Sequence, residues 1–182
     1  MGLAIVGSGR IGTLRARLAA QHPAVHYLAV SDRDAAKAND LAQKVGAQFH
    51  SGDNREVIAN PEVNAVIVST NEGEHMDAVL QAVALGKPVL VEKPIALTLA
   101  DADAMVTGID KAGANVRVGY SRRYKERYLI AKEQILQGRL GKVVGAAARV
   151  YNSRSQGLAV LKRDRHATPV VDALTYYVDL MN

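Results

Sequence analysis

Near its start the chain runs Leu3-Ala4-Ile5-Val6-Gly7-Ser8-Gly9-Arg10-Ile11-Gly12, a stretch that carries strand, turn and helix in one line. Four apolar residues run straight into a GxGxxG pattern, and a helical stretch over 11–20 begins inside it, with Leu14 and Leu18 on one face. Strand, glycine turn and helix form the order in which these glycines have a physical use. Gly7 allows a tight turn, Gly9 lets the backbone approach a pyrophosphate, and Gly12 lets the helix pack closely on the strand. The helix start, with Arg10 and Ile11 in its first turn, offers free N–H groups and a positive dipole end to phosphates. Asp32 stands 20 residues past Gly12 at the end of a second apolar run, where an acid accepts hydrogen bonds from ribose hydroxyls. The pattern reads as a dinucleotide site. Asp32 favours NAD, because a carboxylate repels the 2′-phosphate of NADP, while Arg33 offers that phosphate a partner and keeps NADP open.

Further along the chain, apolar runs keep alternating with helical patterns. Strands are expected over 25–30, 63–69, 88–91 and 116–118. Helices are expected from Asp34 to Val45, His75 to Leu85 and Thr98 to Ala112, with Asp34 and Thr98 as caps and Gly46 and Gly86 as stops. Strands of nearly continuous apolar character joined by helices predict an α/β fold with a doubly wound parallel sheet, because a parallel crossover needs a dozen residues or more. Beyond it, Arg122 to Gln137 reads as an amphipathic helix, Val143 to Tyr151 as a strand, the next stretch as a basic loop, and a final helix begins near Pro169.

The chain has 182 residues, of which 48% are hydrophobic and 23% charged, a globular composition suited to one average domain or slightly more. Cysteine is absent, which removes disulfides, thiolate nucleophiles and cysteine-held metals, and places the expected location in the cytoplasm. No apolar run approaches the roughly 18 residues of a membrane span, so no membrane association is expected. The net charge of +5 is uneven: residues 1–119 carry 11 Lys and Arg against 13 Asp and Glu, and residues 120–182 carry 12 against 5. Six of the seven tyrosines also lie after Gly119, so a dinucleotide domain over 1–119 and a second domain over 120–182 are expected. Basic residues among tyrosines admit nucleic-acid binding, but no nucleic-acid module motif accompanies them, and no nucleic-acid partner is expected. His22 and His26 stand four apart with Pro23 breaking any helix between them, so no metal site is expected.

Glu92-Lys93-Pro94 ends the fourth apolar run, at the sheet edge where ligands of open α/β folds bind. Together with the glycine pattern, Asp32, Ser69-Thr70, His75, Gly86-Lys87, Gly119-Tyr120-Ser121-Arg122-Arg123, Gly138-Arg139-Leu140-Gly141 and the stretch from Asp172 to Asp179, it resembles the Gfo/Idh/MocA family of NAD(P)-dependent oxidoreductases. The resemblance runs along essentially the whole chain. It implies a Rossmann domain followed by an α+β domain with an open antiparallel sheet, homo-oligomers formed through that sheet, and a sugar, polyol or diol as substrate. Ser69, Thr70, Asn71, His75, Glu92 and Lys93 match positions that line the cofactor in the family. Lys93 matches the lysine near the nicotinamide and the reacting hydroxyl, in a peptide to Pro94 that is often cis.

Two departures accompany the match. The family commonly carries Asp-x-x-x-His where this chain has Asp172 and Tyr176, and its members are typically about twice as long, so most of the antiparallel sheet is expected to be missing. On a helix, Asp172 and Tyr176 share a face. The implied chemistry moves a hydride between substrate carbon and nicotinamide, with Lys93 or Tyr176 handling the hydroxyl proton and Asp172 orienting the substrate or the lysine. The alternative is a dinucleotide-binding module without turnover.

Overall fold

The computed structural model describes residues 1–163 and 166–182, and these divide into two compact units, Met1–Val118 and Gly119–Asn182. The first unit is a six-stranded, wholly parallel sheet in the order β3-β2-β1-β4-β5-β6. Its strands are β1 (Gly2–Val6), β2 (Tyr27–Ser31), β3 (Phe49–Ser51), β4 (Ala65–Val68), β5 (Val89–Val91) and β6 (Val116–Val118). The crossovers are α1 (Arg10–Gln21), α2 (Ala35–Val45), α3 (Asn54–Ala59), α4 (His75–Ala84) and α5 (Leu99–Ala112).

Both faces of the sheet are apolar, which explains the unbroken hydrophobic runs. Along β1, Ala4 and Val6 join one buried cluster with Val57, Ile58, Val79 and Met105 of α3, α4 and α5. Leu3 and Ile5 point the other way, into a cluster with Ala16 and Ala19 of α1 and Leu41 and Ala42 of α2. The inward stripe of α1 is therefore Gly12, Ala16 and Ala19, while Leu14 and Leu18 lie about half exposed. Small residues win the inner face because α1 must approach the sheet closely: a Cβ on Gly12 would stand 1.8 Å from the Gly7 carbonyl oxygen. Asp34 and Thr98 cap α2 and α5 as expected, accepting hydrogen bonds from first-turn N–H groups. Lys87 closes the other end of α3, its Nζ donating to the carbonyls of Ile58 (2.6 Å) and Asn60 (2.9 Å), and partial burial lowers its pKa.

The strand β3 and the helix α3 are additions to the sequence reading. In the second unit, the expected helix over 122–137 divides into a 3-10 turn (Ser121–Tyr124) and α6 (Glu126–Leu136), with Lys125 extended between them. The strand expected over Val143–Tyr151 is not formed: no strand occurs among the described residues of this unit. A strand without a neighbour leaves its N–H and C=O groups unpaired, and no second strand is at hand to pair with it. The stretch read as a basic loop instead holds α7 (Arg154–Leu161), begun by a capping box of Ser153 and Gln156. The last helix, α8 (Pro169–Met181), starts at Pro169 as expected, with Thr168 as its cap. Residues 164 and 165, part of the basic stretch weighed for nucleic acid, lie outside the described residues. No helix among the described residues is long and apolar enough to cross a membrane.

Candidate functional site

Strand order reverses between β1 and β4, and the loops that follow these two strands part there, the crevice where open α/β sheets take ligands. Ser31 and Val6 carbonyls hold the two loops by accepting from the N–H groups of Gly7 (2.8 Å) and Ser69 (2.7 Å). Gly7 turns the chain at φ 98°, and a Cβ there would meet the Ser69 carbonyl at 2.7 Å, so the tight turn excludes any side chain. Gly9 is the N-cap of α1, and a Cβ on it would find no atom within 4 Å. The helix it opens has no side-chain cap, unlike α2, α3 and α5, which Asp34, Asp53 and Thr98 cap, and it has no acid in its first turn. Its exposed N–H groups are left for a ligand to satisfy.

A cavity of about 380 Å³ occupies this crevice. Gly7, Gly9, Arg10, Asp32, Arg33, Ser69, Thr70 and Asn71 line it, all singled out from the sequence, and so do Ser8, Thr13, Lys37, Asn54 and Glu74, which were not. Thr13 and Ser8 sit within or beside the glycine pattern, and the loop's own bonding is the signal that marks them: Thr13 Oγ1 donates to the Ser8 carbonyl, and the Ser8 N–H donates to Asp32 Oδ2 at 2.9 Å. Asn54 and Glu74 lie on α3 and on a 3-10 turn (Glu72–Glu74), too short to leave a periodic signal. The second oxygen of Asp32 accepts from the N–H of Asp34 at 3.0 Å, so the carboxylate is fixed in orientation with lone pairs still open. Arg33 pairs with Glu74 at 2.7 Å.

The other sequence candidates take different places. Gly12 is packed under the Gly7 carbonyl, and Ile11 stands half-buried on α1. Glu92, after β5, accepts from Arg15 Nε (2.9 Å) and Nη2 (2.6 Å) of α1, which ties the β5 loop to the glycine helix. His75 is buried at the start of α4, with Nδ1 3.0 Å from the Pro94 carbonyl and Nε2 3.3 Å from the Thr70 carbonyl. Lys93 is half-buried, and its peptide to Pro94 is cis. His22 and His26 hold the N-terminal region locally, His22 Nδ1 accepting from the Ala24 N–H and His26 Nδ1 lying 2.7 Å from the terminal amine.

Asp172 and Tyr176 belong to the second unit, one turn apart on α8. Asp172 Oδ1 accepts from Arg163 at 2.8 Å. Tyr176 packs edge-on to Tyr120, with the Arg122 guanidinium 4.8 Å over its ring. Arg122 also donates to Tyr177 Oη at 2.6 Å and draws the Tyr128 phenol pKa down through a hydrogen bond. Arg123 makes a two-pronged pair with Asp179. Both arginines are thus engaged by side chains of their own unit rather than set aside for an anionic ligand.

The family model that describes an oxidoreductase family with an NAD-binding Rossmann fold matches residues 1–120. This chain belongs to the Gfo/Idh/MocA oxidoreductase family. Among relatives of this family member, scyllo-inositol 2-dehydrogenase (NAD(+)) of Bacillus subtilis is 32% identical over 142 residues, covering 78% of this chain and 42% of the relative. Myo-inositol 2-dehydrogenase of Thermotoga maritima is 33% identical over 143 residues, with the same shares. The solved NAD binding oxidoreductase from Klebsiella pneumoniae superposes with a TM-score of 0.68 at 30% identity, covering 78% of this chain and 40% of that one. Myo-inositol 2-dehydrogenase from Lactobacillus plantarum shares the fold over 100% of this chain and 55% of its own, with a TM-score of 0.86 at 22% identity. The chain spans about half the length of the curated relatives it matches.

The residues present fit a dinucleotide. Ser69 Oγ, Thr70 Oγ1 and Asn54 Oδ1 are buried side-chain atoms of the cavity wall with no hydrogen-bond partner, which is costly unless a ligand supplies one. The open space over Gly9 and the uncapped N-terminus of α1 leave room and free N–H groups for a pyrophosphate in the same cavity.

Proposed function

We propose that the protein carrying this chain is an NAD-dependent dehydrogenase that oxidises a CH–OH group of a small polyol, with inositols as its substrate class. The observation that carries the reading is the cavity at the β1–β4 crevice, where the uncapped α1, the fixed Asp32 carboxylate and the unpartnered Ser69 and Thr70 hydroxyls meet. The names of the relatives support the substrate class, and homo-oligomers through a fuller second domain belong to the same proposal.

In this reading the N–H groups at the start of α1 hold the pyrophosphate, Asp32 accepts from the adenosine ribose, and Ser69, Thr70 and Asn71 take the ribose and amide groups further along. NAD, when bound, supplies a nicotinamide C4 that accepts the hydride leaving the substrate carbon. The chain's own task is the proton, which the substrate hydroxyl gives to Lys93 Nζ; Tyr176, with Asp172 one turn before it on α8, is the second candidate for that role. Glu92, held by Arg15, fixes the loop from which Lys93 projects.

The test uses the full chain: titration of NADH by nicotinamide fluorescence, then NAD reduction with myo-inositol, scyllo-inositol and open-chain polyols. Lys93→Ala is expected to lower kcat by roughly 10²–10⁴-fold, far more than it weakens NADH binding. Asp32→Ala is expected to weaken NADH more than NADPH. Undiminished kcat in Lys93→Ala overturns the lysine's role. Saturable NADH binding with no turnover across the panel favours a binding module without catalysis.

A further inference from the structure

The β2 end of the cavity carries both signs of charge, and the pairing among them bears on which dinucleotide it takes. Asp32, Arg33, Lys37 and Glu74 all line it. Asp32 is anchored by the backbone N–H groups of Ser8 and Asp34. Arg33 lies 2.7 Å from Glu74 Oε1, and Lys37 Nζ lies 3.6 Å from Asp34 Oδ2, the carboxylate that caps α2. Each of these two cations therefore already faces a carboxylate, and the charge of Asp32 is left over.

A dinucleotide phosphorylated on its adenosine ribose brings about two further negative charges to this end. The guanidinium of Arg33 has the fork geometry that such a phosphate needs, and it follows Asp32 directly. Its present partner is not incidental to the wall. Glu74 ends the 3-10 turn (Glu72–Glu74) that leads into α4, and its side chain is 29% exposed against 70% for Arg33, so the carboxylate is the better-held member of the pair. Glu74 and Arg33 are also shared with a second cavity of about 350 Å³, lined further by Asn54, Arg55 and Asp77, so the pair stands where two openings meet. A phosphate seated on Arg33 has to displace Glu74 or lie beside its negative charge.

We propose that Glu74 is a specificity-determining residue: by engaging Arg33 it cancels the cation that would otherwise welcome a 2′-phosphate, and so strengthens the preference for NAD that Asp32 begins. The proposal rests on the reading of this cavity as the dinucleotide site. It differs from a rule based on Asp32 and Arg33 alone, because it places the decision on a residue from the β4–α4 connection, 41 positions further along the chain. An exposed ion pair contributes little to stability, so Glu74→Gln removes the charge without threatening the fold.

The experiment titrates the full chain with NADH and NADPH by nicotinamide fluorescence, for the natural sequence, Glu74→Gln, Arg33→Ala and the double variant. Glu74→Gln is expected to raise the ratio of NADPH to NADH affinity about fivefold, the upper range for an exposed charge pair. In the double variant the gain is expected to vanish, because the freed guanidinium is gone. An unchanged ratio in Glu74→Gln overturns the proposal, and so does a gain that persists without Arg33. Failure of the natural chain to bind NADH overturns the dinucleotide reading itself, which separates the two failures.

Discussion

Within Met1–Val118 every long helix presses at least one residue into one of the two apolar clusters that cover the sheet, whereas in Gly119–Asn182 neither α6 nor α8 has a buried residue. Leu129, Ile130, Leu136, Val170 and Val178 are exposed in the second unit, while Ile5, Val66, Val79 and Met105 are fully buried in the first. The two stretches use similar side chains to different effect. A sheet covered on both faces gives each apolar residue a place to go, and helices joined by extended chain do not. Hence packing dominates the first unit, while the second buries Val160 and Ala167 among its described residues and adds local contacts: the caps Ser153 and Thr168, the stacking around Arg122 and the pair Arg123–Asp179.

The contrast is most sharply tested at glycines. Gly12→Ala drives a Cβ to 1.8 Å from the Gly7 carbonyl, so the glycine loop must move. Its expected cost is about 3 kcal/mol or more, with loss of NADH binding, whereas Gly145→Ala in the second unit, with no atom within 4 Å, is expected to change stability by less than about 0.5 kcal/mol. Urea unfolding and NADH titration of the full chain measure both, and equal effects would break the comparison. Next in size is truncation of the interior. Ile5→Ala is expected to cost ~2–5 kcal/mol, and Leu136→Ala, at a side chain 71% exposed, within ~0.5 kcal/mol.

The smallest effect concerns pH. Lys87 has its pKa lowered by burial, so between that value and its ordinary 10.5 the unfolded chain holds more protons than the folded one, and stability rises with pH across the window. The cost of Lys87→Met, read from paired unfolding curves, should therefore be larger near the top of that window than at neutral pH. A constant difference would mean that Lys87 acts only through its bonds to Ile58 and Asn60.

What could be read in advance follows the same division. The run from Leu3 to Gly12 carries strand, turn and helix in one line, and the caps Asp34 and Thr98 mark their helices by side-chain chemistry that needs no distant partner. The strand β3 escaped because Phe49-His50-Ser51 is three residues at a sheet edge, too short and too polar to show alternation. Val143–Tyr151 misled in the opposite sense: its apolar run suits a strand, but strand formation depends on neighbours that no local pattern reveals. At the cavity, Gly7, Gly9 and Asp32 are marked by residue type and spacing, and Glu74 is not. Its place there comes with its contact to Arg33, and contact across 41 positions leaves no mark on either residue's surroundings in the chain.

One buried ring joins the two walls of the crevice. The two nitrogens of His75 face two carbonyl oxygens, of Thr70 and of Pro94, and a carbonyl can only accept. An imidazole with a single N–H donates to one of these loops and only touches the other. One side chain thus spans the segment after β4 and the segment carrying Lys93, and ties the two walls of the crevice to a single ring.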